Sequence, residues 1–335
     1  MKKFLAGDVG GTKTRLGWFV AEDGVRAVDV EVFESGAFQG VGDIIEAFLA
    51  RHPGRAEAAA FGIAGPVMDG RATLPNLSWT VDAVALKRRL DVDKLCLIND
   101  LEANAHGIAT LEPDQFLVLQ DRERRKGNAA LIAAGTGLGE CILVLDGTAH
   151  RPIPTEGGHC DFAPRNEWEM DFLRFLSTRY PEHVSYERVL SGSGIVALFD
   201  FIVSRGGKPS LETERARRSS SDAAPILSAA GLDASCPVCV EVLDRFLEIY
   251  GAEAGNLALK GLALHGLYIG GGIAPKLRDR LREGAFMRGF RAKGRFRSLM
   301  EEIRVEVILN EGTALLGAAR YAMMCAGRDP VALRG

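Results

Sequence analysis

Three glycine clusters punctuate this chain, and each follows a short apolar stretch with the character of a strand. They are Gly7-Asp8-Val9-Gly10-Gly11-Thr12, Gly135-Thr136-Gly137-Leu138-Gly139 and Gly270-Gly271-Gly272. A strand that ends in glycine can turn tightly and bring several backbone N–H groups against one anion. Gly10 and Gly11 offer such donors and Thr12 adds a hydroxyl; Gly135, Thr136 and Gly137 repeat the arrangement. Neither is a Walker loop or a GxGxxG fingerprint, because the Lys-Ser/Thr pair and the third glycine are missing. Asp8 is the informative neighbour. A carboxylate beside a polyphosphate is repelled unless a cation lies between them, which implies Mg²⁺ held at Asp8 through water. Gly271 and Gly272 leave room for something flat, such as a base or ribose.

Between the clusters the pattern is α/β. Residues 3–7, 15–21, 25–33, 57–63 and 94–98 read as strands, with Asp23-Gly24 as a hairpin turn. Residues 43–51 and 82–90 have helical spacing. Strands follow at 116–119, 129–134 and 140–145, and Asn166 with Glu169 forms a capping box for a helix to about Thr178. Helices are expected at 194–204, 238–260 and 313–324, with strands at 267–269 and 303–309. Residues 206–222 are polar and turn-rich, and read as an exposed loop whose Arg215, Arg217 and Arg218 form a solvated surface. Because the last strand and helix resemble the first third, the expected division is 1–110 plus about 302–325 for a small α/β domain and 111–301 for a larger α+β domain.

Composition narrows the classes. Glycine is 39 of 335 residues, where the usual share is about 7%. The formal charge of −3 excludes a broad cationic footprint for nucleic acid. No targeting segment opens the chain, and the longest uncharged stretch, 261–275, is shorter than the roughly 18 residues of a membrane span. Cys236-x-x-Cys239 has no second pair nearby, so zinc is not implied, and the six cysteines read as reduced thiols in a cytoplasmic protein.

Two further groups carry chemistry. Asp100 follows the apolar run Leu95–Ile98, which places it at a strand tip, where open α/β sheets bind ligands. Asn99 can donate and accept, and Asp100 can accept a proton, a pairing suited to a hydroxyl nucleophile; capping of a helix from Leu101 is the other reading of Asp100. Glu156 and His159 are joined by two glycines, and Glu187 follows in ERVLSGSG. Two carboxylates and an imidazole suit either a metal or the hydroxyls of a polyol.

Two glycine hairpins with a third loop beside the nucleoside describe the two-domain ATPase architecture of actin, Hsp70 chaperones and sugar kinases. DVGGT (8–12), LPNLSW (74–79), IND (98–100), GTGLG (135–139), EGGH (156–159), ERVLSGSG (187–194) and GGGI (270–273) occur in this order, and together they resemble the zinc-free bacterial glucokinases, relatives of the ROK sugar kinases. The resemblance spans nearly the whole chain apart from 206–222 and the last ten residues or so. It implies a ribonuclease H-like, actin-like fold with a cleft between domains, and D-glucose phosphorylated by MgATP at its 6-hydroxyl. Asp100 would be the catalytic base. Asn99, Glu156, His159 and Glu187 would bind the other sugar hydroxyls. Asp8, Gly10, Gly11, Thr12 and Gly135–Gly137 would handle phosphates and Mg²⁺, and Gly271 and Gly272 would lie beside adenosine. A single Cys160 follows His159, so the ROK zinc site is not implied. A homodimer is expected, with neither nucleic acid nor membrane as partner. A kinase for mannose or an amino sugar is the alternative. A sugar-responsive regulator would need a DNA-binding segment ahead of DVGGT, which here starts at residue 8.

Overall fold

The computed structural model describes residues 2–22, 24–74 and 77–328. The Asp23-Gly24 turn and the LPNLSW motif therefore lie partly outside the described residues. The chain divides into two compact units. One runs to Gln115 and adds Leu143–Pro154 and the chain from Asn310; the other is Phe116–Ile142 with Thr155–Leu309.

The first unit is built on β1 (Lys3–Val9), β2 (Lys13–Ala21), β3 (Val25–Glu34), α1 (Val41–Arg51) and β4 (Ala56–Ile63). A small sheet of β5 (Val67–Met68), β6 (Arg71–Leu74) and β7 (Trp79–Asp82) follows, then α2 (Ala83–Leu90), β8 (Leu95–Asn99) and α3 (Asp100–Ile108). The main sheet has the order β3-β2-β1-β4-β8. β1 and β4 are buried on both faces, which suits a central position. They pair in parallel, as do β4 and β8, so Val9, Ile63 and Asn99 end side by side. Asp8, one residue before the end of β1, and Asp100, just after β8, thus lie at the tips of strands two places apart, about 10 Å between backbones. Val41, Ile44, Ile45 and Phe48 are the buried side of α1.

The second unit begins with β9 (Phe116–Gln120), β10 (Ala129–Ala134) and the start of β11 (Leu138–Asp146); the end of β11 and nearly all of β12 (Ala149–Thr155) count with the first. Helices α4 (Glu167–Ser177), α5 (Gly192–Ser204), α6 (Leu211–Arg218), α7 (Ala224–Leu232) and α8 (Pro237–Gly261) follow. The chain continues through β13 (Gly266–Gly270), α9 (Arg278–Arg282), α10 (Ala285–Arg291), α11 (Arg297–Glu301) and β14 (Val305–Ile308) to α12 (Thr313–Cys325), which returns to the first unit. The larger sheet has the order β12-β11-β10-β13-β14-β9. Among the described residues, no single helix is long and apolar enough to cross a membrane.

Three expectations are corrected. β14, expected near 303–309 as part of the small domain, lies between β13 and β9 of the larger sheet. All four of its residues are buried, which fits an interior strand rather than an added edge. The segment 206–222 is not all loop. Ser210 caps α6 by accepting from the Thr213 N–H, acidic residues fill its first turn and arginines its last, in line with the helix dipole. Arg217 reaches Asp200 and lies over the Phe199 ring, so it packs on α5, while Arg215 and Arg218 remain exposed. Cys96 and Cys325 form a disulfide between β8 and α12, whereas Cys141, Cys160, Cys236 and Cys239 are free.

α12 sets the position of α3. Leu315, Ala318, Ala319, Ala322 and Met323 bury against Phe4, Ala6, Ala58 and Ala60. Where α12 meets α3, a Cβ on Gly317 would overlap the Ala103 carbonyl, which is backbone and cannot rotate away. Gly317→Ala should therefore destabilise the protein by about 1–3 kcal/mol, read as a lower urea midpoint with an unchanged slope.

Candidate active site

The first unit contributes a turn and two carboxylates. The turn after β1 closes with the Gly10 N–H on the Lys13 carbonyl (3.0 Å). Ser35 braces it from below: its Oγ donates to the Gly10 carbonyl (2.8 Å), its N–H donates to the Thr12 carbonyl (2.9 Å), and it shares a hydrogen bond with Thr14 (2.9 Å). Gly11 is half-buried and Thr12 exposed, so donors at the tip stay accessible. Among the described residues, Asp8 has one cationic neighbour, Arg15 at 3.4 Å, which also reaches Glu311. Burial pushes the Asp8 carboxyl above its usual range and Arg15 opposes this only in part.

Asp100 is the first residue of α3. Asn99 is its N-cap: Oδ1 accepts from the N–H groups of Leu101 (2.8 Å) and Glu102 (3.4 Å), and Nδ2 donates to the Gly65 carbonyl (3.1 Å). This settles which residue caps the helix. Asp100 Oδ1 accepts from the Leu101 N–H (2.9 Å). Burial is the largest influence on Asp100 and the nearby Asp8 charge adds to it; against the Leu101 hydrogen bond, they push its pKa up to about 6. A carboxyl with raised proton affinity at a strand tip suits acceptance of a hydroxyl proton.

In the second unit, parallel pairing of β10 with β13 places Ala133 opposite Gly270. The second and third glycine clusters therefore emerge side by side. Gly271 has φ +80, and a Cβ there would overlap Ala134 backbone, so the two loops fit only with glycine at this point. The Ile273 N–H donates to the Ala134 carbonyl (3.2 Å), and the Gly135 N–H closes the other loop on the Gly137 carbonyl (2.8 Å). The start of α5 joins this group. Ser191 caps it, and the Gly192 N–H donates to the Gly135 carbonyl (3.0 Å). Sequence reasoning did not assign Ser191 and Gly192 a place here, although Ser-Gly-Ser-Gly ahead of an apolar run is a readable cap.

Glu187 Oε2 accepts from the Leu138 N–H (3.1 Å), so this expected sugar ligand touches the GTGLG loop. Glu156 and His159 are exposed on the Thr155–His159 segment, with Glu156 Oε2 4.0 Å from His159 Nε2. Thus Glu187, Gly135–Gly137 and Gly271–Gly272 belong to the second unit with Glu156 and His159, and Asp8, Gly10–Thr12, Asn99 and Asp100 to the first. Among the described residues, no cluster of three or more His, Cys, Asp or Glu could hold a metal by itself.

Two units, each with parallel strands that end in glycine loops, define a nucleotide-handling protein of the actin-like ATPase fold. A solved glucokinase from an Antarctic psychrotroph superposes with a TM-score of 0.85 at 29% identity, over 97% of this chain and 99% of that one. A ROK family glucokinase from Streptomyces griseus, solved with glucose and AMPPNP, shares the fold at a TM-score of 0.66 and 22% identity, over 96% of this chain and 99% of that one. The glucokinase family model matches residues 5–325, and a glucokinase from Nostoc sp. (strain PCC 7120) is 39% identical over 98% of this chain and all of the relative. The chain belongs to the glucokinase family.

Gly271→Val should raise KM for ATP at least tenfold and lower the melting temperature, because it strains φ and separates two loops at once. Steady-state kinetics with ATP varied, beside a thermal melt, would check it.

Proposed function

We propose that this chain transfers the γ-phosphoryl group of ATP to the 6-hydroxyl of D-glucose, giving glucose 6-phosphate and ADP. The observation that carries this reading is Asp100, a largely buried carboxyl of raised proton affinity on the first turn of α3 at the tip of β8. Asp100 takes the proton of the 6-hydroxyl as that oxygen attacks phosphorus. Asn99, Glu156, His159 and Glu187 bind the remaining sugar hydroxyls. Such bonds favour glucose over analogues lacking a hydroxyl by up to about 10⁴-fold, since the protein groups would otherwise be left unpaired. The family's name and the glucose and AMPPNP bound by the Streptomyces griseus relative support both substrates.

Gly10, Gly11, Thr12 and Gly135–Gly137 meet the phosphates, and Gly271 with Gly272 the adenosine. Asp8 fits a divalent cation, because its buried charge is only partly offset by Arg15. Mg²⁺ there, held through water, would neutralise charge on the transferring phosphoryl group. Transfer to sugar rather than to water requires that water be kept from the phosphoryl group. The protein is read as a cytoplasmic homodimer.

Asp100→Asn should lower kcat by roughly 10² to 10⁴-fold with little change in KM for glucose, since the amide keeps the shape but accepts no proton. Near-normal turnover in that variant would sink the assignment. ADP release should require D-glucose and stay low without sugar; equal or better rates with mannose or an amino sugar would move the substrate to that hexose.

A further inference from the structure

Beneath the Thr155–His159 segment lie two carboxyls to which the reaction gives no role. Glu140 on β11 and Glu253 on α8 are both fully buried and face each other. Glu253 has partners: Asn256 Nδ2 donates to Oε2 (2.7 Å) and Lys260 Nζ stands 3.4 Å from Oε1. Glu140 Oε1 makes no hydrogen bond among the described residues. Its Oε2 occupies the space a side chain at residue 157 would need, so Gly157 rests directly on the carboxyl. Thr155 joins the two, donating from Oγ1 to the Glu140 carbonyl (2.9 Å) and accepting there from the Gly157 N–H (3.1 Å).

Two ionised carboxyls in contact in a dry site repel strongly. The charges facing the pair can compensate one of them. Lys260, on α8, is half exposed and pairs with Glu253. Lys293, after α10, donates to the Ala252 carbonyl and to Asn256 Oδ1, and its own ammonium is pushed down to about 8 by burial. Arg165, before α4, is held by Glu169. The hydroxyls of Tyr186 and Tyr250 are neutral, both held above the usual phenol range by burial.

We infer that Glu140 and Glu253 are positioning residues for sugar binding: the pair holds one proton at neutral pH, and in that form seats the segment that carries Glu156 and His159. The inference rests on the reading that those two side chains bind the sugar. Burial and the Glu253 charge push the Glu140 carboxyl up to about 8, against Lys260. An unfolded glutamate ionises near 4.3. The stability contributed by the shared proton is therefore complete below that value and is lost as pH rises toward about 8. Above it the pair carries two negative charges and the seat is lost.

KM for glucose should rise about tenfold between pH 7 and 9, with KM for ATP unchanged, because one pH unit beyond the midpoint costs a factor of ten. Glu140→Gln, which keeps the neutral shape, should hold KM for glucose low and flat over that range. Glu140→Ala should raise it at every pH. A flat wild-type profile, a Glu140→Gln profile that tracks the wild type, or one that is high throughout would each overturn the inference. Glu156→Ala separates the two readings. If it leaves KM for glucose unchanged, the sugar-site reading fails; if it raises KM while Glu140→Gln tracks the wild type, the pair alone is wrong. Should Glu140→Gln fail to fold, Glu253→Gln likewise limits the pair to one negative charge and should flatten the profile.

Discussion

Parallel strand pairing is the constraint on which the rest depends. A parallel ladder brings the carboxyl ends of its strands to one edge, and side chains or loops that follow those strands must gather there. β1, β4 and β8 do this for Asp8 and Asp100, which stand 92 places apart in sequence. β10 and β13 do it for GTGLG and the triple glycine. Helices over the sheets cover the apolar faces and hold the strand ends in register.

The same burial that stabilises each sheet sets the chemistry at its edge. Asp8, Asp100 and Glu140 all lie where water is scarce, and each holds its proton more tightly than it would in solvent. The responses differ with the neighbours. Arg15 keeps Asp8 partly compensated, Asp100 is opposed mainly by the Leu101 N–H, and Glu140 has another carboxyl against it. In the reading proposed above, these three buried carboxyls would serve three purposes: cation, base and support.

Much of this was legible in the sequence. The three glycine clusters announced strand ends, Asn166-x-x-Glu169 announced the start of α4, and the apolar run before Asp100 placed that residue correctly at a tip. What escaped depended on partners distant in the chain. β14 looks like a strand anywhere, and only its four buried residues between β13 and β9 assign it to the larger sheet. β12, with prolines and exposed positions, lacks the alternation that marks a strand. The Cys96–Cys325 pairing spans 229 residues, and no local pattern foretells it. Glu140 opens the expected strand 140–145, and nothing beside it in the sequence shows that it is buried facing Glu253 of α8.

α12 has a consequence for how the chain is made. Its apolar face covers Phe4, Ala58 and Ala60, yet it leaves the ribosome after every other described element. Synthesis proceeds at about 5–20 residues per second, so β1 and β4 wait for many seconds with that face bare. All strands and helices from β5 to β14 are out by then. The sheet of β1 and β4 is translated early and covered late, so its apolar face stays open through most of synthesis.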